Sequence, residues 1–126
     1  VKHREAFRPF APIISEARAH EVFDANFPVP YMLFNTQIKP EFLSRLPAVA
    51  HVDGSGRLQT VSPERTPQLH ELLEEVYRRD DVGVLLNTSF NDAGEPIVET
   101  PQHALDCYER TGLDALVVGN AILVRN

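Results

Sequence analysis

The sequence predicts a mixed α/β (α+β) fold, a twisted β-sheet of mixed strand direction with helices packed on it. Three observations carry this. Short apolar runs with the two-residue period of strands alternate with segments that have the 3.6-residue period of helices. Asp53-Gly54-Ser55-Gly56 and Gly119-Asn120 are turn sequences that return a chain on itself, so some strands pair antiparallel. Two Thr-Pro pairs, Thr66-Pro67 and Thr100-Pro101, set a capping residue before a proline suited to a first helical position. Strands and helices that interleave in this way build a sheet with helices on it.

In chain order, residues 8 to 14, RPFAPII, read as extended. Their two prolines predict an edge or covering segment, because a proline cannot donate to a central ladder. Ser15 is placed to cap a short helix over 16 to 24, with Ala19, Val22 and Phe23 on its inner face. Residues 31 to 37, YMLFNTQ, read as a strand. Residues 48 to 62, AVAHVDGSGRLQTVS, read as a hairpin, with two alternating runs about the Asp-Gly turn. After Thr66-Pro67, Leu69, Leu72, Leu73, Val76 and Tyr77 recur at the spacing of one buried stripe. Residues 82 to 88 read as an apolar strand covered on both faces. The helix after Thr100-Pro101 turns Ala104, Leu105 and Tyr108 inward and stops at Gly112. Two strands about Gly119-Asn120 complete the chain.

At 126 residues the chain has the length of one domain, expected to run over 1–126. A formal charge of −6 argues against a non-specific nucleic-acid binder. Cys107 is the one cysteine, so no internal disulfide is possible and a reducing compartment is expected. No apolar run approaches the length of a membrane span, and no signal peptide is evident, so the expectation is a cytoplasmic protein without a membrane partner. The chain opens Val1-Lys2-His3-Arg4 inside a charged, motif-like segment, and reads as a piece excised from something longer.

The chemistry is concentrated in three places. The apolar run at 82 to 86 ends in Asn87-Thr88-Ser89-Phe90-Asn91, more hydrogen-bonding side chains than a turn needs. In a strand, Asn87 and Ser89 project to one face. A carboxamide and a hydroxyl so placed suit a phosphate or carbamoyl oxygen and an adjacent NH2; the plainer reading is that they satisfy loop backbone groups. In the hairpin, Arg57 and Gln59 share a face, as do His51 and Asp53. Arg57 either grips an oxyanion or is an exposed arginine, paired with Asp53 across the turn or solvated. Lys2, Arg4 and Arg8 stand at even positions and share a side if extended; the plainer reading is a solvated charged tail, against which Phe7, Pro9 and Phe10 beside them favour burial. Together these groups are suited to gathering oxyanions. The glycine-rich phosphate loops of nucleotide-binding folds are not present, and the five histidines and Cys107 form no metal motif. Glu95, before Pro96, either orients its loop or meets a ligand.

Five segments in order, VKHREAFRPFAP, PYMLF, AVAHVDGSGRLQTV, LLNTSFNDAGEPIVETPQHAL and TGLDALVVGNAILV, resemble the C-terminal portion of the carbamoyltransferases of nodulation-factor and antibiotic biosynthesis. The resemblance covers nearly the whole chain; Ser55 stands where the family usually has Thr. It implies a YrdC-like domain, truncated at its N-terminus, that binds carbamoyl phosphate and ATP with Mg²⁺ and makes carbamoyl adenylate. It also implies a covalently attached N-terminal domain of Kae type, outside this chain, that carries iron and passes the carbamoyl group to an acceptor hydroxyl on a sugar, aminoglycoside or similar molecule. The ligand-binding positions it implies are Lys2, Arg8, Arg57, Asn87 and Ser89, with Arg4 in the same motif; Arg57 and Ser89 are the implied catalytic pair. The alternative is a non-catalytic anion- or nucleotide-binding or interaction module on the same YrdC-like fold.

Overall fold

The computed structural model describes residues 9–125. They form a mixed α/β structure in two compact units, one over residues 9–88 and one over 89–125.

The first unit is built on a three-stranded sheet of order β4-β1-β5. Strand β1 (Ala11–Ser15) lies in the middle, with all five residues buried. It runs parallel to β4 (Gln59–Val61), in the register Ile13↔Gln59. It runs antiparallel to β5 (Leu85–Asn87), in the register Ala11↔Asn87. The segment expected at an edge is therefore central. Pro12 is the second residue of the strand and lies opposite Leu86 on β5, but it comes one residue before pairing with β4 begins at Ile13, so that side of the strand needs no N–H from it. Conversely, β5 is an outer strand among the described residues, and Leu86 is 51% exposed where cover on both faces was expected.

A second pairing joins β2 (Asn35–Gln37) to β3 (Ser55–Arg57), antiparallel, with Asn35↔Arg57 and Gln37↔Ser55. The expected hairpin over 48–62 is only half realised. The turn closes, with Gly54 N–H donating to His51 O (2.9 Å) and His51 N–H to Ser55 O (2.7 Å). The first arm is not a strand: Val49 and Ala50 donate back to Leu46 O, and Val52 is fully exposed. The second arm pairs instead with β2, which is all that forms of the strand expected over 31–37. Met32, just upstream, has φ +54, the left-handed region that side chains rarely adopt.

Residues 55–61 pass from one sheet into the other. Leu58 is the joint, fully buried between exposed Arg57 and half-buried Gln59. Leu58 shares the main core with Ile14, Val22, Phe23, Val29 and Val49. Helix α1 (Ala19–Val22), entered through a 3-10 turn over Glu16–Arg18, supplies Ala19 and Val22 to that core. Ser15 does not cap it: its hydroxyl lies 3.2 Å from His70 Nε2. Helix α2 (Pro67–Asp80) begins at its proline and packs Leu73 against Ile13 and Val61. Its stripe is narrower than expected, because Leu72 is half exposed.

The second unit follows its local signals closely. Helix α3 (Pro101–Thr111) starts where Thr100 Oγ1 accepts from His103 N–H (3.1 Å) and ends at Gly112, φ +64. Strands β6 (Ala115–Val118) and β7 (Ala121–Val124) pair antiparallel about Gly119-Asn120. Ala104, Tyr108 and Leu116 form the core with Phe90, Val98 and Leu123 against them, and Cys107 is buried in the helix. Among the described residues no helix is long and apolar enough to cross a membrane.

Candidate functional site

Arg57 is the last residue of β3 and is exposed. Every other described arginine is engaged: Arg18 with Glu74, Arg45 with Asp80 O, Arg65 with Tyr31, Arg78 and Arg79 with Glu75, Arg110 with Glu95, Arg125 with Tyr108 O. Lys39 donates to His20 O (2.7 Å). Arg57 alone among the described cationic side chains makes no hydrogen bond or ion pair with described residues. The pairing with Asp53 does not form. Asp53 Oδ1 accepts from Ser55 N–H (3.0 Å) and Ser55 Oγ–H (2.7 Å), and these bonds hold its carboxyl below the usual range. Asp53 thus closes its own turn and leaves the guanidinium uncommitted.

Asn87 is the last residue of β5 and is half buried. Its carboxamide N–H donates to Gln59 Oε1 and lies 3.5 Å from Met32 Sδ. Gln59 in turn donates through Nε2 to Pro30 O (2.9 Å). The loop that carries Pro30 and Met32 is held to β4 from both sides, by Val29 N–H to Thr60 Oγ1 (2.8 Å) and Thr60 N–H to Val29 O (2.9 Å). Arg57 and Asn87 therefore belong to one unit, and the residue that bonds Asn87, Gln59, stands two positions beyond Arg57 in the chain. Sequence reasoning set Gln59 beside Arg57 but gave it no role, and it missed Pro30 and Met32. Their part depends on contacts 28 or more residues apart in the chain.

Ser89 lies in the other unit. Strand β5 stops at Asn87, so strand alternation does not carry over to Ser89. Its hydroxyl donates to Asn91 Oδ1 (2.6 Å), and Asn91 Nδ2 donates to Glu95 O (2.8 Å). Glu95 grips Arg110 with both oxygens, which raises the guanidinium's pKa further. Glu95 is thus a clamp on its loop. Beside it is a cleft of about 310 Å³ lined by residues that include Val98, His103, Cys107 and Arg110. Lys2, Arg4 and Arg8 lie outside the described residues. Among the described residues no three His, Cys, Asp or Glu side chains come together as metal ligands.

The first unit thus carries an exposed guanidinium at Arg57 and, two residues on in the chain, a carboxamide at Gln59 bonded to that of Asn87. Residues 1–125 match the family described as Carbamoyltransferase C-terminus, and the chain belongs to that family. It is 41% identical to the nodulation protein NolO of Bradyrhizobium diazoefficiens over 94% of this chain and 22% of that protein. It is 39% identical to the 3'-hydroxymethylcephem-O-carbamoyltransferase of Amycolatopsis lactamdurans over 95% of this chain and 23% of that enzyme. An uncharacterized protein of Synechocystis sp. is 40% identical over 99% of this chain and 24% of its own length. The chain thus spans less than a quarter of the length of these relatives.

Proposed function

We propose that this chain is the carbamoyl-activating part of an ATP-dependent O-carbamoyltransferase. It binds carbamoyl phosphate and ATP and joins them as carbamoyl adenylate. Water displaces phosphate from carbamoyl phosphate to give carbamate. A carbamate oxygen then attacks the α-phosphorus of ATP and pyrophosphate leaves. An acceptor hydroxyl, on a sugar, aminoglycoside or similar molecule, takes the carbamoyl group elsewhere in the full-length protein, in an N-terminal domain where the expected iron resides.

The observation that carries this reading is the guanidinium of Arg57, exposed and unpaired among the described residues, in a chain that belongs to the carbamoyltransferase C-terminal family. A phosphoryl group in transfer spreads charge over its oxygens, and a positioned guanidinium stabilises that charge without first breaking an ion pair. The family resemblance adds Ser89, Lys2, Arg4 and Arg8 as further ligand-binding residues. These donors suit phosphate oxygens, and Mg²⁺ would accompany ATP through its phosphates.

The test is pyrophosphate release by the full-length protein. Release should require carbamoyl phosphate, and Arg57→Ala should lower it by about 100-fold or more, the cost of removing one charge-stabilising donor. Ser89→Ala should lower it as well. Pyrophosphate release that ignores carbamoyl phosphate overturns the reaction, and unchanged turnover in both variants overturns the site.

A further inference from the structure

We propose that Gln59 is a positioning residue that turns Asn87 into a pure hydrogen-bond acceptor, so that the site selects an NH2-bearing carbamoyl group over a methyl-bearing acyl group. The inference deepens the carbamoyl-activating reading above and rests on it.

A carboxamide has two faces of similar shape, one that donates and one that accepts, and its direction is fixed by its neighbours. Here the chain of neighbours starts at a group with no choice. Pro30 O is a backbone carbonyl and only accepts. The Gln59 group 2.9 Å from it must therefore be the NH2 end, since two oxygens at that distance repel. That leaves Gln59 Oε1 toward Asn87, and an oxygen there requires an N–H from Asn87. The same Asn87 nitrogen lies 3.5 Å from Met32 Sδ, a weak acceptor that suits its second N–H. Both donors of Asn87 are thus taken up inside the protein. Its Oδ1 makes no hydrogen bond with described residues and is the one group it can offer a ligand.

An acceptor discriminates by chemistry. A phosphate oxygen brought to Asn87 Oδ1 sets acceptor against acceptor. The NH2 of a carbamoyl group donates to it. A methyl group of the same size does not, and leaves the oxygen stripped of water without a partner. The role divides accordingly, with Arg57 for charge and Asn87, held by Gln59, for the amide nitrogen.

The experiment compares carbamoyl phosphate with acetyl phosphate in the full-length protein. Selectivity is the inhibition constant of acetyl phosphate divided by the KM of carbamoyl phosphate, read from pyrophosphate release. Gln59→Leu should lower that ratio by about 10- to 100-fold, the size of one hydrogen bond with its acceptor left unpaired. Asn87→Leu should lower it by as much, and the double variant no further, because Gln59 acts only through Asn87. Gln59→Met preserves side-chain length and replaces the leucine variant if that one fails to fold. A ratio unchanged in the Gln59 variant, or losses that add in the double variant, overturns the inference while the activity reading stands. Wild-type protein that releases no pyrophosphate with carbamoyl phosphate overturns the reading itself.

Discussion

Two buried threonines should respond to the same substitution with opposite sign. Thr60 is 3% exposed and its hydroxyl oxygen accepts from the N–H of Val29, itself 2% exposed, at 2.8 Å. Thr60→Val is nearly isosteric, so no cavity forms. It strands the Val29 N–H without a partner in a place water does not reach, at a cost of about 1–3 kcal/mol. Thr36 is also buried, at 7% exposed, but its hydroxyl has no hydrogen-bond partner among the described residues. Thr36→Val removes a stripped hydroxyl and gives up nothing, so it should be neutral or stabilising by up to about 1 kcal/mol. Urea unfolding gives each change as a shift in midpoint at constant slope. Hydrogen exchange localises the first one, since the Val29 amide should exchange faster in Thr60→Val and unchanged in Thr36→Val. Equal effects of the two substitutions would refute the reasoning, because shape and burial are matched and only the hydrogen bond differs.

Other outcomes follow from the same structure. Gly83 has φ +66, and an added Cβ would lie 2.9 Å from Tyr77 Cβ, so Gly83→Ala should destabilise by about 2–4 kcal/mol in thermal unfolding from strain and overpacking together. Gly56 has ordinary φ, but a Cβ there would meet Pro12 Cγ and Val49 O at 3.3 Å; Gly56→Ala should cost about 1 kcal/mol, read by the same method. Burial acts to raise the carboxyl pKa of Glu74, but the hydrogen bonds from Arg18 and Ser15 and the charges of Arg18 and His70 outweigh it and the net shift is downward. The unfolded chain then binds that proton more readily than the folded one. The contribution is full above the ordinary glutamate value of about 4.3 and is lost as pH falls through the lower folded value. Glu74→Gln should flatten the acid limb of a stability-versus-pH curve, and a curve parallel to wild type would rule this out.

What the sequence made legible was mostly local. Thr100, Pro101 and Gly112 bound helix α3 because caps and stops act within a few residues of themselves. The turn at Gly119-Asn120 and the start of α2 at Pro67 are legible for the same reason. What was hidden depends on distant partners. Pro12 argued for an edge, yet β1 is central because β4 and β5, more than forty residues further on, both pair with it. The alternating run before Asp53 argued for a hairpin arm, yet its backbone is used in turns back to Leu46, so β3 found β2 instead. At the site, Arg57 and Asn87 could be nominated by residue type. That Asp53 would be consumed by its own turn is local chemistry that offered two solutions. That Gln59 would hold Asn87 was not readable at all, since nothing near either residue specifies the other.

The charge at Arg57 and the carboxamide grip at Gln59 are mounted on different sheets, with fully buried Leu58 between them. The backbone span between the two residues is accordingly set by the torsions of a single residue whose side chain is anchored in the core. Leu58 works like a rivet through two plates. Trimming it would loosen both plates at once, and would disturb the backbone that carries a guanidinium and an amide it never touches through its own chemistry.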